Sequence, residues 1–241
     1  MGLAYQMGQS FFLNMGLGLI PWTFFVSPQK TGRGFFQIVY VIGLAFIVLS
    51  AMGENAYSLS LLFPFFALCI LGLTLKEEKL SQCSRFFSLI WGAGVIGLFV
   101  FTGDRQATLF SLSSLCLLGS TVFAMLLGHW YLVVPKMSEQ PLLNVLKVFW
   151  VACFFKLLFI FWQFPPLVEF FKKSQSVFDV SIVFLRYLWG PVGLCVLGFF
   201  TWKLTKMRSL QSATGILYVM VLFAIIGEFF ALYLFGKGLI L

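Results

Sequence analysis

The sequence predicts an all-α fold, a polytopic integral membrane bundle of about eight transmembrane helices. Of its 241 residues, 61% are hydrophobic and only 10% are charged, whereas soluble domains carry roughly 25% charged residues. The mean hydropathy is +1.00. Several runs of about 18 or more residues contain no charge, and a helix of that length crosses the hydrocarbon core of a bilayer. We therefore expect one transmembrane domain over residues 1–241, with very little mass outside the lipid bilayer.

Polar and turn-forming residues divide the chain into eight apolar runs, each of which predicts one span. The first run, 8–26, is rich in glycine and contains Asn14 and Pro21. We expect it to be buried against its neighbours, because small residues favour helix–helix contacts. The first ten residues contain no Lys or Arg, so this run is predicted to be a retained span and not a cleaved signal. The other predicted spans are 35–52, 56–75, 86–102, 107–134, 142–164, 178–202 and 213–235.

The basic residues in the connections predict the orientation. One side collects nine of them: Lys30, Arg33, Lys76, Lys79, Arg85, Lys136, Lys203, Lys206 and Arg208. The opposite side has four: Arg105, Lys172, Lys173 and Lys237. Cytoplasmic loops carry the excess of Lys and Arg in membrane proteins. The more basic loops are therefore predicted to be cytoplasmic and both termini to lie outside. The same bias accounts for the net charge of +8, so we expect no nucleic-acid partner.

The three charged residues that lie deepest inside the apolar runs are Lys156, Arg186 and Glu228. Each is seven or eight residues from the outer end of its predicted span, which at 1.5 Å per residue is a depth of roughly 10–12 Å. Consecutive antiparallel helices tend to be neighbours, so the three side chains are expected to meet. Charges at membrane depth are rare and mark functional sites by default. We call these three residues the charged layer.

Several interpretations of the charged layer are open at this stage. Arg186 is expected to pair with Glu228, because guanidinium and carboxylate form bidentate hydrogen bonds. Lys156 is then a second cation, which either reaches outward to the headgroups or binds an anionic group of a ligand. Glu228 could instead serve as a proton relay. Tyr187 and the nearby Trp189 are candidates for lining a ligand pocket beside the layer.

The single histidine, His129, lies about five residues from the predicted cytoplasmic end of the fifth span, and Lys147 lies at a similar depth in the sixth. One histidine cannot supply bis-histidine haem ligation or a histidine-rich metal site, so we expect neither haem nor metal. His129 could donate a hydrogen bond to a quinone or accept a proton, with Lys147 nearby. The alternative is an interfacial histidine bonded to a neighbouring backbone or hydroxyl group.

Two further segments carry specific expectations. Gly190 and Pro191 follow Arg186 by about one turn and favour either close helix packing or local unwinding. The segment 167–174, which follows two prolines and mixes apolar with charged residues, predicts a short interfacial helix. It serves either as a connector or as a lid over the charged layer.

These observations favour a non-enzymatic membrane protein that binds or translocates a small anionic or amphipathic ligand at the charged layer. The sequence contains no phosphate loop, no zinc-protease motif and no serine-hydrolase elbow, so no catalytic activity is expected of the isolated chain. One alternative is a haem-free, quinone-interacting anchor subunit of a redox complex. Another is a structural or assembly subunit of a membrane complex. The quinone alternative implies a soluble redox partner that delivers electrons, and partner membrane subunits are possible, whereas a transporter needs only the lipid bilayer.

Overall fold

The computed structural model describes residues 3–52, 67, 70, 74–101, 105–134, 137–162 and 177–236. Across these residues all the regular structure is helical, and no strand is present. In chain order the elements are α1 (Leu3–Leu19), a 3₁₀ turn (Pro21–Phe25), α2 (Pro28–Thr31), α3 (Arg33–Ala51), α4 (Glu77–Phe101), α5 (Arg105–Val133), α6 (Gln140–Trp162), α7 (Val177–Tyr187), a π-helical turn (Leu188–Val192), α8 (Gly193–Lys206) and α9 (Leu210–Gly236). The all-helical prediction is confirmed.

Five helical stretches are long and apolar enough to cross a membrane: Arg33–Ala51, Gln106–Val133, Gln140–Trp162, Val180–Lys206 and Leu210–Gly236. They coincide with the predicted spans 35–52, 107–134, 142–164, 178–202 and 213–235, and they indicate a membrane location. The total of eight spans and the sidedness of the loops stay predictions.

The other three predicted spans have different outcomes. The run 8–26 forms the 17-residue helix α1 followed by the 3₁₀ turn, which begins at Pro21. The run 86–102 is the second part of α4, whose polar first turns begin at Glu77 and extend the helix beyond the apolar stretch. Most of the run 56–75, and all of the amphipathic segment 167–174, lie outside the described residues.

The core is organised around α5, against which α1, α6 and α9 all pack. The end of α1 is buried without interruption from Asn14 to Ile20, as its glycine content predicts. Gly18 lies so close to α5 that a Cβ there would be 2.5 Å from the carbonyl oxygen of Leu115 and 2.9 Å from the Cα of Gly119. Because real Cβ contacts are not that short, the contact between α1 and α5 requires glycine.

The turn between α8 and α9 places these two helices side by side. The amide of Ser209 donates to the carbonyl of Leu204, and the amide of Arg208 donates to the carbonyl of Thr205, each at 3.0 Å. This pair of bonds is the Schellman arrangement that ends a helix with one left-handed residue. Here that residue is Arg208, with φ of 60°. Its guanidinium also contacts Glu139, with the Nη2 atom 3.1 Å from Oε1.

Candidate functional site: a buried charged layer

The Lys156 ammonium is the centre of the site and connects three helices. From α6 it donates to the Glu228 carboxylate on α9 at 2.9 Å and to the Ser114 hydroxyl on α5 at 2.8 Å. Lys156 is 2% exposed and Glu228 is 3% exposed. Charged groups that are this well buried are costly unless they are paired and hydrogen-bonded. The contact therefore satisfies both charges inside the bundle.

The pairing corrects the one that sequence reasoning predicts. Glu228 forms its ion pair with Lys156, where a bidentate pair with Arg186 was expected and Lys156 was left over. The reason is rotation about the helix axes. Both α6 and α9 pack along α5, so their polar residues converge on Ser114. Counting residues from the ends of a span gives only the depth of a side chain in the bilayer. It does not determine how the helix is rotated about its axis.

Arg186 belongs to the same buried region as the ion pair. It is 2% exposed and lies in the last turn of α7, which packs against α9. Its guanidinium carbon is 5.5 Å from the centre of the Tyr187 ring. Arg186 precedes Gly190 by four residues, and Gly190 contacts Gly227, the residue before Glu228. The three residues singled out in the sequence therefore lie in one part of the bundle.

Phe110 supplies an aromatic wall that sequence reasoning missed. The Lys156 nitrogen is 4.9 Å from the centre of the Phe110 ring, a distance at which a cation is attracted to an aromatic face. Phe110 is in turn stacked on Phe235 of α9, with ring centres 4.6 Å apart. Ser114 was missed as well, although it lies seven residues from the predicted outer end of the fifth span. That is the same depth as the charged layer, so the depth argument could have found it.

A break in helical geometry adjoins the charged layer. The segment Leu188–Val192, which we call the helix break, is a π-helical turn with Pro191 inside it, and Gly190 has non-helical dihedral angles (φ −70°, ψ −108°). Gly190 also contacts Gly227, where an added Cβ would be 2.6 Å from the Gly190 Cα. The prediction that these residues give either unwinding or close packing is confirmed, because both occur. Gly227 directly precedes Glu228 on α9.

The residues predicted at the inner end do not gather into a second cluster. The His129 ring nitrogen Nδ1 is 2.7 Å from the Tyr218 hydroxyl, at an exposed position. Lys147 is exposed, and in the part of the chain that the structure describes it forms no ion pair. The structure thus brings His129 to Tyr218 of α9, which sequence reasoning did not name, and leaves Lys147 apart.

The described residues contain no group of three His, Cys, Asp or Glu side chains that could hold a metal ion. Comparison of the chain with protein-family models, with curated proteins and with solved structures finds no match in any of the three. The function is therefore argued from the geometry of the charged layer.

Proposed function

We propose that this chain is a non-enzymatic, multi-pass membrane protein that binds a small anionic or amphipathic ligand at the charged layer. The observation that carries the proposal is the Lys156 ammonium, which is almost fully buried and held between Glu228 and Ser114. Membrane proteins rarely keep an ion pair at this depth, and those that do commonly use it for a substrate or proton pathway.

In this proposal Glu228 occupies the ligand's place when no ligand is bound. A carboxylate or phosphate group that reaches Lys156 replaces the Glu228 carboxylate, and the Ser114 hydroxyl stays as a second donor. Arg186 adds a positive charge in the same region, which favours an entering anion. The displaced Glu228 carboxylate then needs a proton or another partner, because a buried charge without one is costly, and the Arg186 cation in the same region is suited to that role.

The helix break supports an entry route. Irregular backbone at membrane depth is tolerated where it is buried in protein or lines a cavity, and π-helical turns are frequent at functional sites. The break packs on Gly227, next to Glu228. A movement of α7 relative to α8 at Gly190 therefore changes the surroundings of the Glu228 carboxylate directly. Translocation of the ligand would use this movement.

The test is ligand-dependent thermal stability of the purified protein against a panel of monocarboxylates, dicarboxylates, inorganic phosphate and phosphate esters. A ligand that binds only the folded state stabilises it by about 2.7 kcal/mol at a concentration of 100 times Kd. We expect at least one compound to stabilise the wild type and the Lys147→Met variant, and to have no effect on the Lys156→Met/Glu228→Met double variant.

The control is matched, because Lys147 and Lys156 lie on the same helix and only Lys156 is buried. If no compound in the panel stabilises the wild type, or if the double variant responds equally, the charged layer is not the binding site. The ion pair then has a structural role, as in an assembly subunit.

A second candidate function is contact with a quinone, favoured by the hydrogen bond between His129 and Tyr218. His129 follows Ser114 by fifteen residues on α5, which is about 22 Å of helix, so this position is separate from the charged layer. A quinone-interacting subunit should show quinone-dependent quenching of its fluorescence that weakens in Tyr218→Phe. Quenching that is identical in the variant would remove this candidate.

We also propose that the chain crosses the membrane eight times with both termini outside. The nine basic residues on one side and four on the other support this orientation. The thiol of the Ser209→Cys variant, in the turn between α8 and α9, should react with membrane-impermeant reagents only after the membrane is permeabilised. Labelling of this cysteine in intact cells would show that the turn faces outward and would contradict the proposed topology.

A further inference from the structure

A groove of about 420 Å³ lies between the 3₁₀ turn and α4, in a part of the molecule that the charged layer does not use. Pro21, Trp22 and Phe25 line it from the turn, and Leu89 and Gly92 line it from α4. Sites for small organic molecules span about 300–1,000 Å³. The groove is therefore large enough to hold an organic ligand.

The lining is almost entirely apolar: the hydroxyl group of Ser88 is already paired, and the indole nitrogen of Trp22 is buried away from the surface. The Ser88 and Thr23 hydroxyls are 2.7 Å apart, so one can donate to the other. The carbonyl of Ser84 lies 2.6 Å from the Ser88 hydroxyl and the carbonyl of Ile20 lies 2.7 Å from the Thr23 hydroxyl, and one of these carbonyls accepts the remaining hydrogen. A polar ligand would leave its own hydrogen-bonding groups unsatisfied here, at a free-energy cost. The groove therefore selects a hydrocarbon segment.

Basic side chains lie on the surface beyond one end of the groove. Arg85 is exposed and precedes Ser88 and Leu89 by three and four residues, so it lies on the same face of α4 one turn away. Lys79 on α4 and Lys30 on α2 are also exposed, and α2 packs against α4. Glu78 on α4 is exposed as well, so the surface passes from apolar to one on which basic side chains outnumber the acidic one.

We propose that this groove binds an acyl chain of an anionic phospholipid, with the lipid phosphate held by Arg85 and the neighbouring lysines. The charge pattern selects this occupant over a neutral lipid, since basic pockets between helices on the cytoplasmic side bind anionic headgroups. Arg85, Lys79 and Lys30 all belong to the side predicted to be cytoplasmic, where anionic lipids concentrate. This site is independent of the ligand proposed for the charged layer.

Trp22 provides the measurement, because it lines the groove. The protein is reconstituted into vesicles of phosphatidylcholine containing a minor fraction of phospholipid with brominated acyl chains, carrying either phosphatidylglycerol or phosphatidylcholine headgroups. The fluorescence of Trp22 is obtained as the difference between the wild type and Trp22→Phe. We expect brominated phosphatidylglycerol to quench this signal at least several-fold more than brominated phosphatidylcholine, and Arg85→Gln to remove the preference.

Two glycines on α4 give a matched pair of variants. A Cβ at Gly92, inside the groove, and a Cβ at Gly94, outside its lining, would both have no neighbouring atom within 4 Å. Gly92→Phe should fill the groove and abolish the preferential quenching of Trp22, whereas Gly94→Phe should retain it. Equal quenching by the two headgroups in the wild type would overturn the proposal, and so would a preference that survives in Gly92→Phe.

Discussion

Removing either partner of the Lys156–Glu228 ion pair should destabilise the protein far more than removing both. The two side chains are 2.9 Å apart, with side-chain exposures of 2% and 4%. Lys156→Met leaves a buried carboxylate without its cation, and Glu228→Met leaves a buried ammonium without its anion. Breaking a buried pair in this way costs about 3–5 kcal/mol.

The double variant Lys156→Met/Glu228→Met should instead lie within about 1 kcal/mol of the wild type, because apolar replacement of a whole buried pair is often close to neutral. The coupling energy between the two positions, which is the sum of the two single effects minus the double effect, is then at least about 5 kcal/mol. Interhelical hydrogen bonds in a membrane protein average about 0.6 kcal/mol, with a maximum near 1.7 kcal/mol. The predicted coupling is well above that range.

The assay is reversible unfolding in mixed micelles for the wild type, the two single variants and the double variant. Lys147→Met is the control, and a change of less than about 0.5 kcal/mol is expected for this exposed position. A coupling energy below about 1.7 kcal/mol would refute the reasoning, since the pair would then behave as an ordinary hydrogen bond. Because Lys156 and not Arg186 is the partner of Glu228, a purely structural role also predicts that Lys156→Met alone is poorly tolerated.

Three further predictions concern packing, the helix end and the peripheral ion pair. Gly18→Ala should destabilise the protein by about 1–3 kcal/mol through overpacking against α5. Gly215→Ala should be neutral or stabilising, because a Cβ at that position meets no atom within 4 Å. Equal unfolding free energies for the two variants would contradict this. Arg208→Gly should be more stable than Arg208→Ala by about 1 kcal/mol in the same unfolding assay, because only glycine adopts a positive φ without strain. The pKa of Glu139 lies below its ordinary value of 4.5 because its own backbone N–H, and then the Arg208 guanidinium, donate hydrogen bonds to the carboxylate. The ion pair therefore stabilises fully above pH 4.5 and is lost as the pH falls through the folded-state pKa. The stability difference between the wild type and Arg208→Gln should be constant above that pH and shrink below it; a difference that grows on acidification would contradict the assignment.

Apolar run length predicts most of the fold. The five helical stretches long enough to cross a membrane begin and end within a few residues of the predicted spans, except that the fourth runs on to Lys206. Two boundaries escape this criterion. The helix α4 starts early, since charged residues such as Glu77 and Lys79 support helical turns outside the apolar run. The helix α8 ends at a left-handed Arg208, where the usual signal would be glycine.

The sequence predicts the depth of the three residues in the charged layer but not which of them form the ion pair. Counting residues from the span ends places Lys156, Arg186 and Glu228 at one level, and all three are buried in the structure. The rotation of each helix decides which of them touch, and it depends on packing against α5. Ser114 and Tyr218 went unnoticed for a related reason. Depth places Ser114 at the level of the charged layer, but hydroxyl groups are common in apolar helices, so the contacts with Lys156 and His129 are what single out Ser114 and Tyr218 among them.

The glycine contact between α1 and α5 has a consequence for the order in which the chain assembles. Gly18 and Gly119 are about a hundred residues apart, and a ribosome adds roughly 5–20 residues per second. The face of α1 that carries Gly18 therefore waits about 5–20 seconds before α5, one of the two helices against which α1 packs most, has been synthesised. During that interval the bare backbone at Gly18, which α5 covers in the finished bundle, faces lipid or the insertion machinery, although the contacts of α1 with α3 can form earlier. This face of α1 thus reaches its final contact late, and the retention of α1 near the insertion site becomes a requirement of biogenesis.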